Sequence, residues 1–295
     1  MTSPRPEPLA YERVSCPLCG ESEAELRFRI PNRTRAGVYV NTAFHPVAEA
    51  HDIVRCRQCG LLFASPRLSR RDDMWTYSVQ EEAAYFAATR NDRAAGNEAL
   101  LDTLEAMGSR GRLLDAGCGD GLLLAQAAAR GWEAWGVERS RTLAGQQPRT
   151  AGHPVTLLGD IAHLPFASGA FDAVCLINVI EHVANPATVI AEAARVTRPK
   201  GVVAVHTPNA GGLAARIHGA RWHHYDPIEH LFYFTRRTLQ MALEQHGLTV
   251  TGTLELPGAA VTKRVLLALS QRLGLSLSNG LGLLARKRPG AAEGG

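Results

Sequence analysis

A chain of 295 residues, 45% hydrophobic and 20% charged, has the composition of an ordinary globular protein, long enough for one large domain and a small one. The formal net charge is +4, but only three of the 32 basic residues are lysines. The arginines are spread along the chain rather than run together, so an extended nucleic-acid surface is not indicated. No apolar stretch reaches the roughly 20 residues of a membrane span, and residues 1–9 are proline-rich and polar rather than a signal peptide, which points to the cytoplasm.

The first motif in chain order is a pair of knuckles, Cys16-Pro17-Leu18-Cys19-Gly20 and Cys56-Arg57-Gln58-Cys59-Gly60. In each, the glycine lets backbone amides turn toward the thiolates, and two knuckles supply four sulfurs to a tetrahedral ion. Zinc is the default ion for Cys16, Cys19, Cys56 and Cys59 as a structural site, although iron fits the same geometry. A disulfide conflicts with a reducing compartment, and a redox Cys-x-x-Cys needs no duplicate. The stretch between the knuckles, with Arg29, Arg33, Arg35, Tyr39, Phe44 and His45, is expected to fold as a small hairpin over the metal or to remain a decorated surface loop.

Residues 69–108 contain helix-forming stretches in which Trp75, Tyr77, Tyr85 and Phe86 sit at mixed spacing. Leu113-Leu114-Asp115-Ala116-Gly117-Cys118-Gly119-Asp120-Gly121 then reads as a buried strand, a glycine-rich turn and the start of a helix. Without Cβ atoms at 117, 119 and 121, a ligand can lie against the backbone, and the helix N-terminus offers free amides. Such a turn suits a nucleotide-like cofactor. A dinucleotide fingerprint would need glycine where Leu122 stands, and no P-loop Gly-Lys-Ser/Thr is present.

Ala134-Trp135-Gly136-Val137-Glu138 is a second strand, ending in an acid suited to two ribose hydroxyls. Leu157-Leu158-Gly159-Asp160-Ile161 is a third, with an acid placed to accept from an exocyclic amine. Phe171-Asp172-Ala173-Val174-Cys175-Leu176-Ile177-Asn178 is a fourth, followed by Glu181-His182, and Arg198-Pro199-Lys200-Gly201 turns into a strand at 202–205. Helices are expected at 122–130, stopped by Gly131; from Asn185-Pro186 to about Arg198; and from the cap Thr235 to Gly247. Residues 248–256 and 281–288 are the expected last strands. Residues 207–232, with three of the 11 histidines between 223 and 230, follow neither strand nor helix periodicity. An amphipathic helix is expected over 259–273, able to touch a membrane or a second subunit, although packing on the core is the commoner outcome.

Taken together, Asp115-x-Gly117-x-Gly119, Glu138, Gly159-Asp160, Leu164-Pro165-Phe166, Phe171-Asp172 and Pro199-Lys200-Gly201 resemble the class I S-adenosylmethionine-dependent methyltransferases over about residues 95–290. The resemblance implies an α/β, Rossmann-like seven-stranded sheet with helices on both faces and an antiparallel strand at the edge. With the zinc ribbon in front, the chain divides into a ribbon over 1–68, a helical linker or cofactor cover over 69–108 with Tyr77 or Tyr85 as candidate covers, and a methyltransferase domain over 109–289. Residues 207–232 would be its substrate-covering insertion. S-adenosylmethionine would then contact Asp115, Gly117, Cys118, Gly119, Glu138, Asp160, Ile161 and Asn178.

The knuckles followed by Leu61-Leu62-Phe63-Ala64-Ser65-Pro66-Arg67 look like the zinc-ribbon start of some bacterial methyltransferases that act on sugars, phenols or natural-product scaffolds. Asn178-Val179-Ile180-Glu181-His182 resembles the Glu-x-x-Glu-His segment of ubiquinone-pathway O-methyltransferases, in some of which it binds a divalent ion; Asn178 in place of the first acid weakens that requirement here. The expected activity is O-methylation of a small molecule with a histidine base, His182 or His230 ahead of His224. N- or C-methylation by proximity alone, and methylation of RNA gripped by the ribbon, are the alternatives.

Overall fold

The computed structural model describes residues 10–32, 37–40, 43–69, 74–75, 79–146, 154–256 and 278–288. Residues 259–273, Tyr77, Arg33 and Arg35 lie outside them, so the expected amphipathic helix is not described. Elements are numbered in chain order. The N-terminal part holds β1 (Tyr11–Glu12), β2 (Ala24–Pro31), β3 (Gly37–Val40), β4 (Ala43–Pro46), β5 (Ala50–Cys56), β6 (Leu62–Ala64), β7 (Arg67–Leu68) and β8 (Met74–Trp75). Two helices follow, α1 (Val79–Ala88) and α2 (Arg90–Ala106). The remainder is β9 (Arg112–Ala116), α3 (Leu122–Ala129), β10 (Glu133–Glu138), α4 (Arg141–Gln146), β11 (Val155–Leu158), β12 (Phe171–Ile177), α5 (Pro186–Val196), β13 (Thr197–Pro208), α6 (Leu213–His218), β14 (Phe232–Tyr233), α7 (Arg236–Gln245), β15 (Leu248–Thr253) and β16 (Gly280–Lys287).

Seven strands form the central sheet in the order β11-β10-β9-β12-β13-β16-β15. β11, β10, β9, β12 and β13 are parallel to their neighbours, so their carboxyl ends share one edge. The apolar runs of β9 and β12 supply residues to both faces, as strands covered on both sides require. Leu114, Val174 and Leu176 join one core; Leu113, Ala173 and Cys175 join the other with Leu100, Leu104 and Leu124 of α2 and α3.

The expected antiparallel strand is present but not at the edge. β16 lies between β13 and β15 and is antiparallel to both. Its sequence Leu281-Gly282-Leu283-Leu284-Ala285 is a continuous buried run, whereas β15 alternates buried and exposed positions. The alternating strand takes the edge, and the continuously apolar one takes the interior. Caps follow the sequence: Asn185 Oδ1 accepts from Ala187 N at 3.0 Å, and Thr235 forms a capping box with Thr238.

The stretch between the knuckles folds as a hairpin. β2 and β5 pair antiparallel, and β3 pairs with β4 and β8 in a separate small sheet. β6 lies beside β5, and the fourth strand of this sheet comes from far along the chain: β14 pairs with β6, Phe232 opposite Phe63. The segment after β13 is therefore built into the ribbon, and one apolar cluster runs from Leu114 and Leu176 through Phe232 and Phe234 to Leu61, Phe63 and the knuckle cysteines.

Candidate active site

The two knuckles repeat one backbone geometry. Cys16 N donates to Glu21 O at 2.8 Å and Cys56 N to Leu61 O at 2.9 Å; Gly20 and Gly60 amides donate back to Cys16 O and Cys56 O. The Sγ atoms of Cys16 and Cys59 are 3.4 Å apart, those of Cys19 and Cys56 3.5 Å apart, and all four lie within 4.8 Å of one another. Burial pushes the Cys59 thiol up to about 11 and Cys16 further. Burial also raises Cys56, but the Cys59 amide and the neighbouring sulfurs outweigh it and bring this thiol down to about 7. Sulfurs 2.3 Å from one tetrahedral ion stand roughly 3.8 Å apart, so this set fits a single metal centre with four thiolate ligands.

At the carboxyl edge of the sheet, β9 runs into a loop held against β10: Gly117 N donates to Val137 O at 2.8 Å, and Gly119 N to Glu138 Oε2 at 2.9 Å. Glu138 Oε1 accepts from Ser140 N at 2.7 Å. Gly117 and Gly119 have φ of 87° and 53°. A Cβ on Gly117 would lie 2.6 Å from Val179, and one on Gly119 2.7 Å from the Phe86 ring, so both positions need glycine for conformation and for space. Phe86, rather than Tyr85, therefore stands over the loop; Tyr85 is 54% exposed. Arg93 ties this cover in place. Its guanidinium makes a bidentate pair with Asp120 at 2.8 and 2.7 Å, donates to Phe86 O at 2.9 Å and lies 4.7 Å from the Phe86 ring centroid.

Asp115 is buried at the end of β9. Burial, with the charges of Glu138 and Asp120, pushes its carboxyl up to about 7. Asp160 accepts from Ala162 N at 2.9 Å, and Ile161 is buried beside it. Cys118 is buried against α3 and β10. Asn178 has φ of 52°, and its Oδ1 stands 2.9 Å from His206 Nδ1.

Beyond Asn178 the structure assembles the histidines. His182 and His230 rings meet at 4.7 Å, and His224 lies 5.9 Å from His230. His182 Nδ1 is 3.2 Å from Glu229 O, and His230 Nδ1 is 2.9 Å from His224 O. A carbonyl partner assigns the proton to Nδ1 and leaves Nε2 as the acceptor nitrogen on both rings. Burial lowers His224 to about 3, with neighbouring histidines adding to the effect, so its ring is neutral at ordinary pH and weakly basic.

Sequence reasoning left Glu181 out of the site. Its carboxyl is 3.9 Å from His182 Nε2, accepts from Thr207 Oγ1 at 2.9 Å, and is pushed up to about 7 by burial. Ligand atoms of Glu181, His182 and His230 lie within 4.8 Å of one another, a spacing at which two imidazoles and a carboxylate can share a cation. The acid immediately before His182 was the available signal; His182 and His230 were both expected from the sequence, and the fold brings Glu181 to them.

Between the ribbon and residues 220–228 lies a cavity of about 170 Å³. His51 Nε2 and Trp222 Nε1 line it, both buried and without a hydrogen-bond partner among the described residues. The Trp222 and His224 rings stand 4.9 Å apart, so a row of rings leads from this cavity to His182.

The family described as a methyltransferase domain matches residues 82–252, more than half of the chain and the whole of this loop-and-histidine arrangement. The chain belongs to the methyltransferase family. The biotin biosynthesis bifunctional protein BioHC of Cellvibrio japonicus is 32% identical over 178 residues, 59% of this chain and 34% of that protein. A ubiquinone biosynthesis O-methyltransferase of Dechloromonas aromatica is 34% identical over 106 residues, 33% of this chain and 44% of the relative. The chain spans about a third to a half of the length of the first curated relatives that it matches.

Among solved structures, the complex between the Haloferax volcanii Trm112 methyltransferase activator and a methyltransferase contains a chain with TM-score 0.53 and 18% identity, covering 73% of this chain and 100% of that one. Magnesium protoporphyrin IX methyltransferase of Synechocystis with bound SAH has TM-score 0.51 and 17% identity, over 72% and 88%. These structures share the fold of the methyltransferase domain: the Rossmann-like sheet expected from the sequence is the observed one. No described helix is long and apolar enough to cross a membrane.

Proposed function

We propose that the protein transfers the methyl group of S-adenosylmethionine to an oxygen of a small molecule. The observation that carries this reading is the juxtaposition, at one sheet edge, of the Gly117–Gly119 loop and Glu138 with the Glu181, His182 and His230 cluster. The sulfonium donor supplies an already activated methyl group, so the protein has to align the attacking atom, exclude water and manage one proton.

On this reading the loop amides and Phe86 enclose the methionine end, Glu138 orients the ribose, and Asp160 with Ile161 holds the adenine. Cys118 and Asn178 complete the set. His182 and His230 present acceptor nitrogens where an acceptor hydroxyl would lose its proton. Glu181, close to His182, can stabilise the charge that develops on that ring. His224 is too weakly basic for the same task and serves as a wall of the row of rings leading to the Trp222 cavity. A cavity of one-ring size suits a small acceptor better than an RNA strand.

The relative in Dechloromonas is by name an O-methyltransferase of ubiquinone biosynthesis, which agrees with oxygen as the target. The test is methyl transfer from labelled S-adenosylmethionine to pooled phenols, sugars and amines beside an RNA pool. Label in phenols or sugars that falls in His182→Ala and His230→Ala supports the reading. Label in RNA alone, or in amines alone with both variants fully active, overturns it.

The 4.8 Å grouping of Glu181, His182 and His230 favours one second reading, in which they hold a divalent ion that polarises the acceptor oxygen. Metal analysis separates the two. Two ions per chain, with one lost in Glu181→Gln while the knuckle ion stays, supports the metal; one ion in both proteins supports the base. The knuckle ion itself is proposed to be zinc, in a structural role.

A further inference from the structure

Several arginines among the described residues are paired with acids of the fold. Arg67 pairs with Glu12, Arg93 with Asp120, Arg112 with Glu133, Arg130 with Glu98, Asp102 and Glu105, Arg195 with Glu192, and Arg198 with Asp172. In one cleft, four arginines from separate elements gather instead. Arg27 from β2, Arg55 from β5, Arg216 from α6 and Arg237 from the first turn of α7 line a cleft of about 400 Å³ between the ribbon sheet and the methyltransferase domain. Gly60 of the second knuckle forms part of its floor, with the Arg55 guanidinium about 3.6 Å from where its Cβ would stand.

No carboxylate lines the cleft among the described residues. Arg55 reaches Glu25 at 3.7 Å, with both side chains half exposed, and Arg27 lies 4.9 Å from the Phe28 ring centroid. Arg216 and Arg237 have no acidic partner among the described residues. Four guanidinium groups from four elements, gathered around one concavity, repel one another unless an anion joins them. The first turn of α7 adds the positive end of a ten-residue helix, while the Thr235 and Thr238 hydroxyls are taken up by its capping box.

We propose that this cleft binds a diphosphate, as carried by a nucleotide or a nucleotide-linked small molecule. Guanidinium forks match phosphate oxygens bidentately, and four of them balance the two to three negative charges of a phosphoanhydride. The volume lies in the range of small-ligand sites, roughly 300–1,000 Å³. No aromatic ring among the described residues lines the cleft, so it lacks the platforms on which single-stranded bases stack, and this favours a small phosphorylated ligand over RNA. The cleft shares no residue with the Glu181, His182 and His230 cluster, so the inference stands apart from the proposed reaction.

Calorimetry on the full, metal-loaded chain tests it, with pyrophosphate, uridine diphosphate, sulfate and a short single-stranded RNA as probes. Saturable binding of pyrophosphate or uridine diphosphate, stronger than that of sulfate, is expected. Arg216→Gln with Arg237→Gln should weaken it about tenfold or more, with melting temperature and metal content unchanged. Arg27→Gln provides an independent second variant and should weaken it in the same direction. Uridine diphosphate binding tighter than pyrophosphate would assign the site to a nucleotide, and equal binding to the diphosphate alone. No saturation by either up to about 10 mM, affinity indifferent to the substitutions, or binding of RNA alone would overturn the proposal.

Discussion

Two carboxyl groups meet where β9 and β10 end, and the fold treats them differently. Glu138 accepts amide hydrogens from Gly119 and Ser140 and so fixes the loop that the proposed cofactor would lie on. Glu138→Ala removes charge-assisted hydrogen bonds, and S-adenosylhomocysteine should bind more weakly by about 1.5–3 kcal/mol; unchanged affinity by calorimetry would remove Glu138 from the site. Asp115 is buried in the company of two acids and held near 7, so its neutral form is the one the fold prefers. The stability it contributes is complete below the ordinary aspartate range and is lost as pH rises through about 7. Buried His206 and His224, lowered to about 4 and 3, act in the opposite sense, losing stability as pH falls below the ordinary histidine range. Comparison with Asp115→Asn cancels the histidines. Between about pH 5 and pH 8 the native chain should lose on the order of 1–3 kcal/mol relative to this variant, measured by denaturant unfolding of the ligand-free protein. Parallel profiles would show that Asp115 is ionised throughout. The acids at strand ends were legible from sequence because a polar residue closing an apolar run has no packing purpose. The Arg93 and Asp120 pair was not, since its partners are 27 positions apart and neither interrupts a pattern.

That pair matters at the scale of elements. α1 and α2 were expected only as helix-forming stretches, and aromatic spacing could not say which ring would meet the loop. The answer depends on how α1 docks: Phe86 falls on Gly119, and Arg93 clamps it from one turn into α2. Arg93→Gln should free the cover and raise the KM for S-adenosylmethionine about tenfold, with a smaller change in kcat and a fall of a few degrees in Tm. Full cofactor affinity with a lowered Tm would reduce Arg93 to a structural role. The sheet shows a related limit. Strand identity followed from apolar runs, yet the placement of β16 inside β15 depended on which run was continuous, a comparison between two strands rather than a property of either. The short β14 carried no strand pattern at all, because two residues are too few for a period and its partner lies in the ribbon.

At the scale of the whole molecule, that strand joins the two parts that the sequence separates. From the ribbon, Ala64 N donates to Leu231 O at 2.9 Å; Leu231 N then donates to Glu181 O at 2.7 Å. Arg67, just past β6, donates to Ala184 O at 2.9 Å, beyond His182 on the same segment. A metal held by the knuckles, as proposed, is thus expected to act on the proposed reaction through the backbone, although it would contribute no atom to it. Removing it withdraws much of the folding energy of a small module built on four thiolates. β6 then loses its support, β14 its partner, and Glu181, His182 and His230 their common frame. Chelation should lower kcat about tenfold or more, while affinity for S-adenosylhomocysteine, held by β9 and β10, changes by less than about threefold. Added zinc should restore turnover. Cys16→Ser tests the same chain of support without touching Glu181, His182 or His230, so an equal loss in that variant assigns the effect to the knuckle rather than to an ion at the histidines. Turnover that survives both treatments would mean that the ribbon is carried by the methyltransferase domain and does not hold it in shape.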